Sequence, residues 1–340
     1  MKRLDDAQTT LIKGVGILLI IGHNFQYLVS ALPGVNEFVF AQENFTAFID
    51  GVRSSPLSLP RLLLAYFGHY AVQIFIFLSG YGLASSFAKR QPTWPAFMAR
   101  RFTRLYPAFV LAMIAWALWK QFPQGVSTSV LLKLALISNL IPGEQLSLVG
   151  PWWFVAFIFQ FYLVFPLLFR LTDRALGLVA LLGFITAVGL NETVLPGGFL
   201  FATPLGHLPE FCLGIWWARA PRQVGWLPTV VATLVFAAGN VWAPAWYLSH
   251  ASALVVTLGC WPLLRAPVER TQKVFAFLGA LSLELFLVNG FLRDPFMRWA
   301  KGEGSEWAAW SMGALSLFTC LAVALLIKAA LTVLERRLAK

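Results

Sequence analysis

The feature that most constrains this chain is a series of apolar runs, each about 17 to 27 residues long and almost free of charge. That is the length a helix needs to cross a hydrocarbon layer about 30 Å thick. The runs fall at 13–32, 62–88, 105–122, 151–169, 175–191, 204–218, 224–241, 245–264, 274–292 and 307–328. A backbone in lipid must satisfy its own polar groups, so such runs are read as helices. The expected fold is therefore all-α: a polytopic integral membrane bundle of about ten transmembrane helices, forming a single domain over 1–340. Composition leads to the same place. Apolar residues make up 59% of the 340 and charged residues 12%, against roughly 45–50% and about 25% in soluble domains. A shorter apolar stretch, 130–141, carries Lys133 and is read as a re-entrant or interfacial piece.

The basic residues orient the bundle, because Lys and Arg are retained on the cytoplasmic side. With the N-terminus inside, that side collects Lys2, Arg3, Lys13, Lys89, Arg90, Arg100, Arg101, Arg104, Arg170, Arg174, Arg219, Arg222, Arg265, Arg270, Lys273, Lys328, Arg336, Arg337 and Lys340, which is 19 of the 26 basic residues. Both termini are then cytoplasmic, in a bacterial inner membrane. The net charge of +11 reads as a topology signal, and nucleic acid is not an expected partner. Cys212, Cys260 and Cys320 all fall inside spans, which argues against a disulfide framework. The first apolar run is long enough to remain as a helix rather than a cleaved leader. No internal repeat of the kind that builds many transporters is visible.

Ionisable and polar side chains at membrane depth are costly, and they mark candidate sites. They are His23, Gln160, Glu210 and Glu284, with His69, His207 and Asn289 nearer span ends. An imidazole takes and returns a proton near neutral pH, as general base catalysis on a hydroxyl requires; a histidine bridging two helices fits the position of His23 equally well. Lys13 lies ten residues before it, about 15 Å along a helix and some 80° away in azimuth, where it also suits an interfacial anchor. Ser79, Gly80 and Gly82 allow close helix contact or the approach of a ligand to backbone. Arg100, Arg101 and Arg104, on an expected cytoplasmic loop, suit a phosphate clamp, while anchoring on anionic lipid explains the same residues. Gln160 either positions a hydroxyl or bridges helices. Glu210 follows His207 by three residues, one helical turn, and is placed to orient an imidazole or meet an arginine. The histidines and in-span carboxylates lack metal-site spacing, so no metal is expected.

In this order, FLSGYG followed by an Arg-rich segment and RLYP, WWFVAFIFQFYLVFPLL, HLPEFCLGI and LGALSLELFLVNGF resemble the acyltransferase-3 family of membrane O-acyltransferases over nearly the whole chain. The resemblance implies transfer of an acyl group, commonly acetyl, from cytoplasmic acyl-CoA to a hydroxyl of a saccharide or lipid-linked glycan. It assigns catalysis to His23, the preceding basic position to Lys13, the CoA phosphates to Arg101 and Arg104 with Arg100 beside them, and the small-residue motif to Ser79 and Gly80. Acyl-CoA is then a donor substrate and no cofactor is permanently bound. The sequence departs from the family pattern at the ten-residue Lys13–His23 spacing, at Ile158 and Phe159 where glutamates are common, and at Asn289 where histidine is frequent. A different class of function, a carrier or flippase for a lipid-linked glycan, would use His23, Glu210 and Glu284 as a polar pathway and would need no arginine clamp.

Overall fold

The computed structural model describes residues 4–30, 32–120, 127–195, 197–221 and 223–338. Lys2, Arg3, Arg222 and Lys340, counted above, and residues 121–122 of the third expected span lie outside the described residues. Every regular element among the described residues is helical: α1 (Asp6–Val29), α2 (Gln42–Ser54), α3 (Leu59–Phe67), α4 (Ala71–Arg90), α5 (Trp94–Trp119), α6 (Thr128–Leu134), α7 (Trp153–Arg170), α8 (Asp173–Thr193), α9 (Leu208–Arg219), α10 (Trp226–Gly239), α11 (Ala243–Arg270), α12 (Gln272–Ala280), α13 (Ser282–Leu292), α14 (Asp294–Glu303) and α15 (Glu306–Leu338). Short 3₁₀ turns precede α3, α4, α7 and α9.

Among the described residues seven helical stretches are long and apolar enough to cross a membrane: Asp6–Val29, Pro56–Arg90, Trp94–Trp119, Gly150–Arg170, Asp173–Thr193, Ala243–Arg265 and Glu306–Arg337. The broken pair α12 and α13 makes eight if it is counted as one span. The expected spans 204–218 and 224–241 contain α9 and α10, which have only 12 and 14 residues. Pro204 and Pro209 explain the shortness of α9: the segment opens as a 3₁₀ turn at Pro204–His207, and the helix starts only where Pro209 can occupy its first turn. Along α8, Leu178, Leu181, Leu182 and Ile185 are each more than half exposed. Their i, i+3, i+4, i+7 spacing gives an unpartnered apolar stripe, the face a helix turns to lipid.

Two helices start earlier than their apolar runs. The polar first turn of α1 is held by a capping box, in which Asp5 accepts from Gln8 N at 2.7 Å while Gln8 Oε1 accepts from Asp5 N. α4 ends at Gln91, which adopts a left-handed conformation with φ 37°, and Pro95 then sits in the first turn of α5. Arg100, Arg101 and Arg104 therefore lie on a helix rather than on the expected loop.

The chain divides into two compact units. The first comprises Met1–Gln91, Leu167–Phe201 and Leu205–Ala280. Within it α1 packs against α3, α4 and α12, α4 against α9, and α10 against α11. Glycines set two of these crossings. A Cβ on Gly80 would lie 2.2 Å from the Phe211 carbonyl oxygen, and one on Gly214 would lie 2.2 Å from that of Phe77, so α4 and α9 meet backbone to backbone. Gly14 and Gly279 do the same for α1 and α12, each 2.0 Å from a carbonyl oxygen of the facing helix.

The second unit comprises Pro92–Pro166, Ala202–Pro204 and Leu281–Lys340. Here α13 packs on α5 and α15, and α14 packs on α15. The Trp152 indole donates to the Leu287 carbonyl at 2.8 Å, and the buried Glu284 carboxylate meets Lys328 Nζ at 3.2 Å. The stretch 130–141 forms α6 and a 3₁₀ turn at Ser138–Leu140. Its Lys133 is 1% exposed, donates to the carbonyls of Gln145 at 2.7 Å and Glu144 at 3.3 Å, and has its pKa pushed down to about 8 by burial.

Candidate active site

In the first unit His23, on the second half of α1, is 3% exposed. Its ring stacks on Tyr27 one turn later, centroids 5.8 Å apart and planes 10° apart, and meets His69 at 5.3 Å. The crowding has a backbone cause. Gly68, in the 3₁₀ turn before α4, presses on α1 so closely that an added Cβ would lie 2.6 Å from His23 Cβ and 3.0 Å from the Leu19 carbonyl. Any larger residue at position 68 pushes the turn, and His69 with it, off His23.

His69 is the start of a buried polar line. Its ring lies 4.1 Å from that of Tyr70, which lies 5.7 Å from His250 on α11, which lies 5.6 Å from His207 at the start of α9. His207 Nδ1 is 3.6 Å from Glu210 Oε1. The four histidines are all those of the chain, and none is more than 3% exposed. The rings are strung out rather than convergent: among the described residues no three His, Cys, Asp or Glu side chains form a metal-ligating group.

Hydrogen bonds fix two of the tautomers. His207 Nε2 lies 2.9 Å from the Phe201 carbonyl and His250 Nε2 lies 3.0 Å from the Glu37 carbonyl. A carbonyl oxygen only accepts, so both Nε2 atoms carry hydrogen. Tyr70 donates to Ser249 at 3.0 Å. The Asn36 carbonyl accepts from Trp246 on α11, and the Asn36 side chain bonds Tyr66 on α3 and Asn44 on α2, so the segment after α1 is tied down over this end of the unit. Within it Glu37 is half-buried, and burial pushes its carboxyl up to about 7.

The other candidate residues of this unit are less concentrated. Lys13 is part-buried on α1. Ser79 donates to the Phe75 carbonyl of its own helix at 2.7 Å, and Gly80 is accounted for by the α4–α9 crossing. Glu210 joins His207, the imidazole partner its spacing suggested.

In the second unit Arg100 and Arg104 are exposed and Arg101 is half-buried. The Arg101 guanidinium stands 5.4 Å over the Phe97 ring, its Nε is buried without a hydrogen bond, and Tyr162 lies within electrostatic reach. Arg101 and Arg104 are one turn apart and share a face, with free donors for an anionic ligand. Gln160 makes a paired amide contact with Asn139, at 3.0 and 2.7 Å, and also donates to the Leu136 carbonyl. It bridges α7 to the turn after α6, the structural alternative of its two readings.

Sequence reasoning missed Tyr70 and His250 and did not join His69 and His207 to His23. The signal was there in depth. On the expected topology each of the four histidines falls toward the same side of its span.

The sequence profile of a family described as acyltransferase domain matches residues 6–329. The acyltransferase MdmB of Streptomyces mycarofaciens is 29% identical over 301 residues, covering 76% of this chain and 77% of that protein. No solved structure matches.

Proposed function

The chain belongs to this family of acyltransferases, the acyltransferase-3 family that the motifs resembled, and from that premise we propose that it moves an acetyl group from cytoplasmic acetyl-CoA to a hydroxyl of a cell-surface or lipid-linked saccharide, in a bacterial inner membrane with both termini cytoplasmic. The observation that carries the reading is His23, a buried imidazole locked between Tyr27, Gly68 and His69 inside a chain whose family match covers residues 6–329. The carrier reading has no comparable support.

In the proposed reaction Arg101 and Arg104 hold the CoA phosphates through charge-assisted hydrogen bonds. His23 takes the proton of the acceptor hydroxyl as its oxygen attacks the thioester carbonyl. The new C–O bond forms, the C–S bond breaks with its electron pair leaving on sulfur, and His23 returns the proton to the thiolate. Exclusion of water by the packed rings keeps the thioester from hydrolysis. Arg100, exposed beside the clamp, adds field rather than a fixed contact.

The test is binding of acetyl-CoA to the detergent-purified protein and to an Arg101→Ala/Arg104→Ala variant with an unchanged elution profile. We expect saturable binding in the parent, weakened by at least about 100-fold in the variant, since hydrogen bonds to charged groups contribute about 1.5–3 kcal/mol each. Absence of binding in the parent, for acetyl-CoA and for longer acyl-CoAs, would overturn the donor assignment.

A further inference from the structure

Resting on that reading, we propose that His69, His250, His207 and Glu210 act as positioning residues for His23: a proton-sharing line along which the positive charge formed on His23 is stabilised from the Glu210 carboxylate. Three observations carry it. The first is placement. Every histidine of the chain is in this line, with ring centres 5.3 to 5.7 Å apart wherever two histidines, or Tyr70 and His250, face each other. At that spacing a ring flip or a single bridging water joins neighbouring nitrogens.

The second is orientation. Because the Phe201 carbonyl takes the hydrogen of His207 Nε2 at 2.9 Å, the other ring nitrogen, Nδ1, is the one turned to the Glu210 carboxyl, 3.6 Å away. The third is open capacity. His250, with Nε2 committed to the Glu37 carbonyl, has its buried Nδ1 without a partner, as have His69 Nε2 and Glu210 Oε2. Buried polar atoms are normally satisfied; here several unused positions lie along one path between the His23 ring and a buried carboxylate.

The reaction supplies the use. When the acceptor O–H bond breaks, its proton goes to His23 and the charge is shared along the line toward Glu210. When the C–S bond breaks, the same proton leaves for sulfur and the line returns to its starting state, with no net proton taken up. Glu210 acts here as the third member of a Ser-His-Asp triad does, but at one remove. The titratable groups that face the line are Tyr27 from α1, Glu37 from the segment after α1, Tyr66 from α3, Tyr70 from the turn before α4 and Cys212 from α9, beside Glu210.

The experiment measures incorporation of labelled acetyl from acetyl-CoA into the saccharide fraction of membrane vesicles carrying the full chain, as a function of pH. Glu210→Gln keeps the shape and removes the charge. We expect its turnover to fall about 10- to 100-fold, less than the roughly 10⁴-fold seen where an orienting carboxylate contacts the histidine directly. The KM for acetyl-CoA should stay unchanged, the acidic limb of the turnover profile should move to lower pH, and Glu210→Asp should recover part of the rate. If Glu210→Gln elutes as an aggregate, His250→Gln replaces it, keeping a donor for the Glu37 carbonyl but no ring. Parental rate and profile in the variant that folds overturns the line, as does a loss of rate with an unmoved profile. Failure of the underlying reading is separate: it would show as parental incorporation by His23→Ala.

Discussion

The histidine-lined end of the first unit and the arginine-bearing half of α5 are built on opposite plans. At that end the four histidines are 3% exposed or less, two backbones are in contact through Gly68, and the tautomers of His207 and His250 are set by carbonyls. On α5, Arg100 and Arg104 stand in the open, and Arg101 leans on Phe97 with an unused donor. A group that must shed and regain a proton is served by a fixed, dry setting, where small electrostatic changes are felt strongly. Groups that grip a mobile, highly charged ligand gain from long solvated side chains that close upon it. On the proposed function the difference separates turnover from donor affinity, and each prediction tests that separation.

The largest expected effect is that of His23→Ala. With the general-base role proposed for His23, acetyl transfer should fall by about 10²–10⁴-fold, while acetyl-CoA affinity stays at the parental value. A variant that keeps its turnover, or that loses donor binding as severely as the arginine variant, breaks the division between the two regions.

Packing provides the next test. Gly68→Ala places a Cβ 2.6 Å from His23 Cβ, and overpacking of this kind costs about 1–3 kcal/mol. The thermal midpoint in detergent should fall and turnover should fall with it, because His23 is displaced. Arg100→Ala, at an exposed position, should change stability by no more than about 0.5 kcal/mol. Equal stability of the two variants would mean that the contact at Gly68 is slack.

Much of this division was legible in the sequence, and what escaped did so for physical reasons. Hydropathy located the helical runs, because lipid imposes helix on any long apolar segment. It did not register that Pro204 and Pro209 shorten α9 within the run 204–218, since a window average records apolarity but not a missing N–H. It also left Arg100, Arg101 and Arg104 on a loop, because α5 starts from Thr93, Trp94 and Pro95 and not from its apolar run. His23 stood out as an ionisable group at depth. Its neighbours did not, since the contacts of His23 with His69, Tyr70 with His250, and His250 with His207 each join residues on different elements. Spacing along one helix identifies only the His207–Glu210 pair. For Gln160 and Gly80 spacing left a packing role and a ligand role open; the contacts they make in this structure are helix packing contacts.

The smallest expected effect sharpens the comparison through pH. Glu37 sits in the segment that covers the histidine end, beneath it His250 donates to its carbonyl, and Tyr27 of α1 faces its carboxyl. Burial raises that carboxyl from 4.5 to about 7, so the fold favours the neutral form. Below pH 4.5 both folded and unfolded chains are protonated there, and the contribution to stability is complete. As pH rises from 4.5 the unfolded chain ionises first, and the contribution is lost as pH passes through about 7. The thermal midpoint of the parent should therefore decline between pH 5 and pH 8 more steeply than that of Glu37→Gln, which cannot ionise. The same comparison made with Arg101→Met should leave the slope of the parent unchanged, because α5 carries no carboxylate or histidine. Parallel curves for the parent and Glu37→Gln would show that the cover over the histidines admits water, and the dry character assigned to that end would be lost with them.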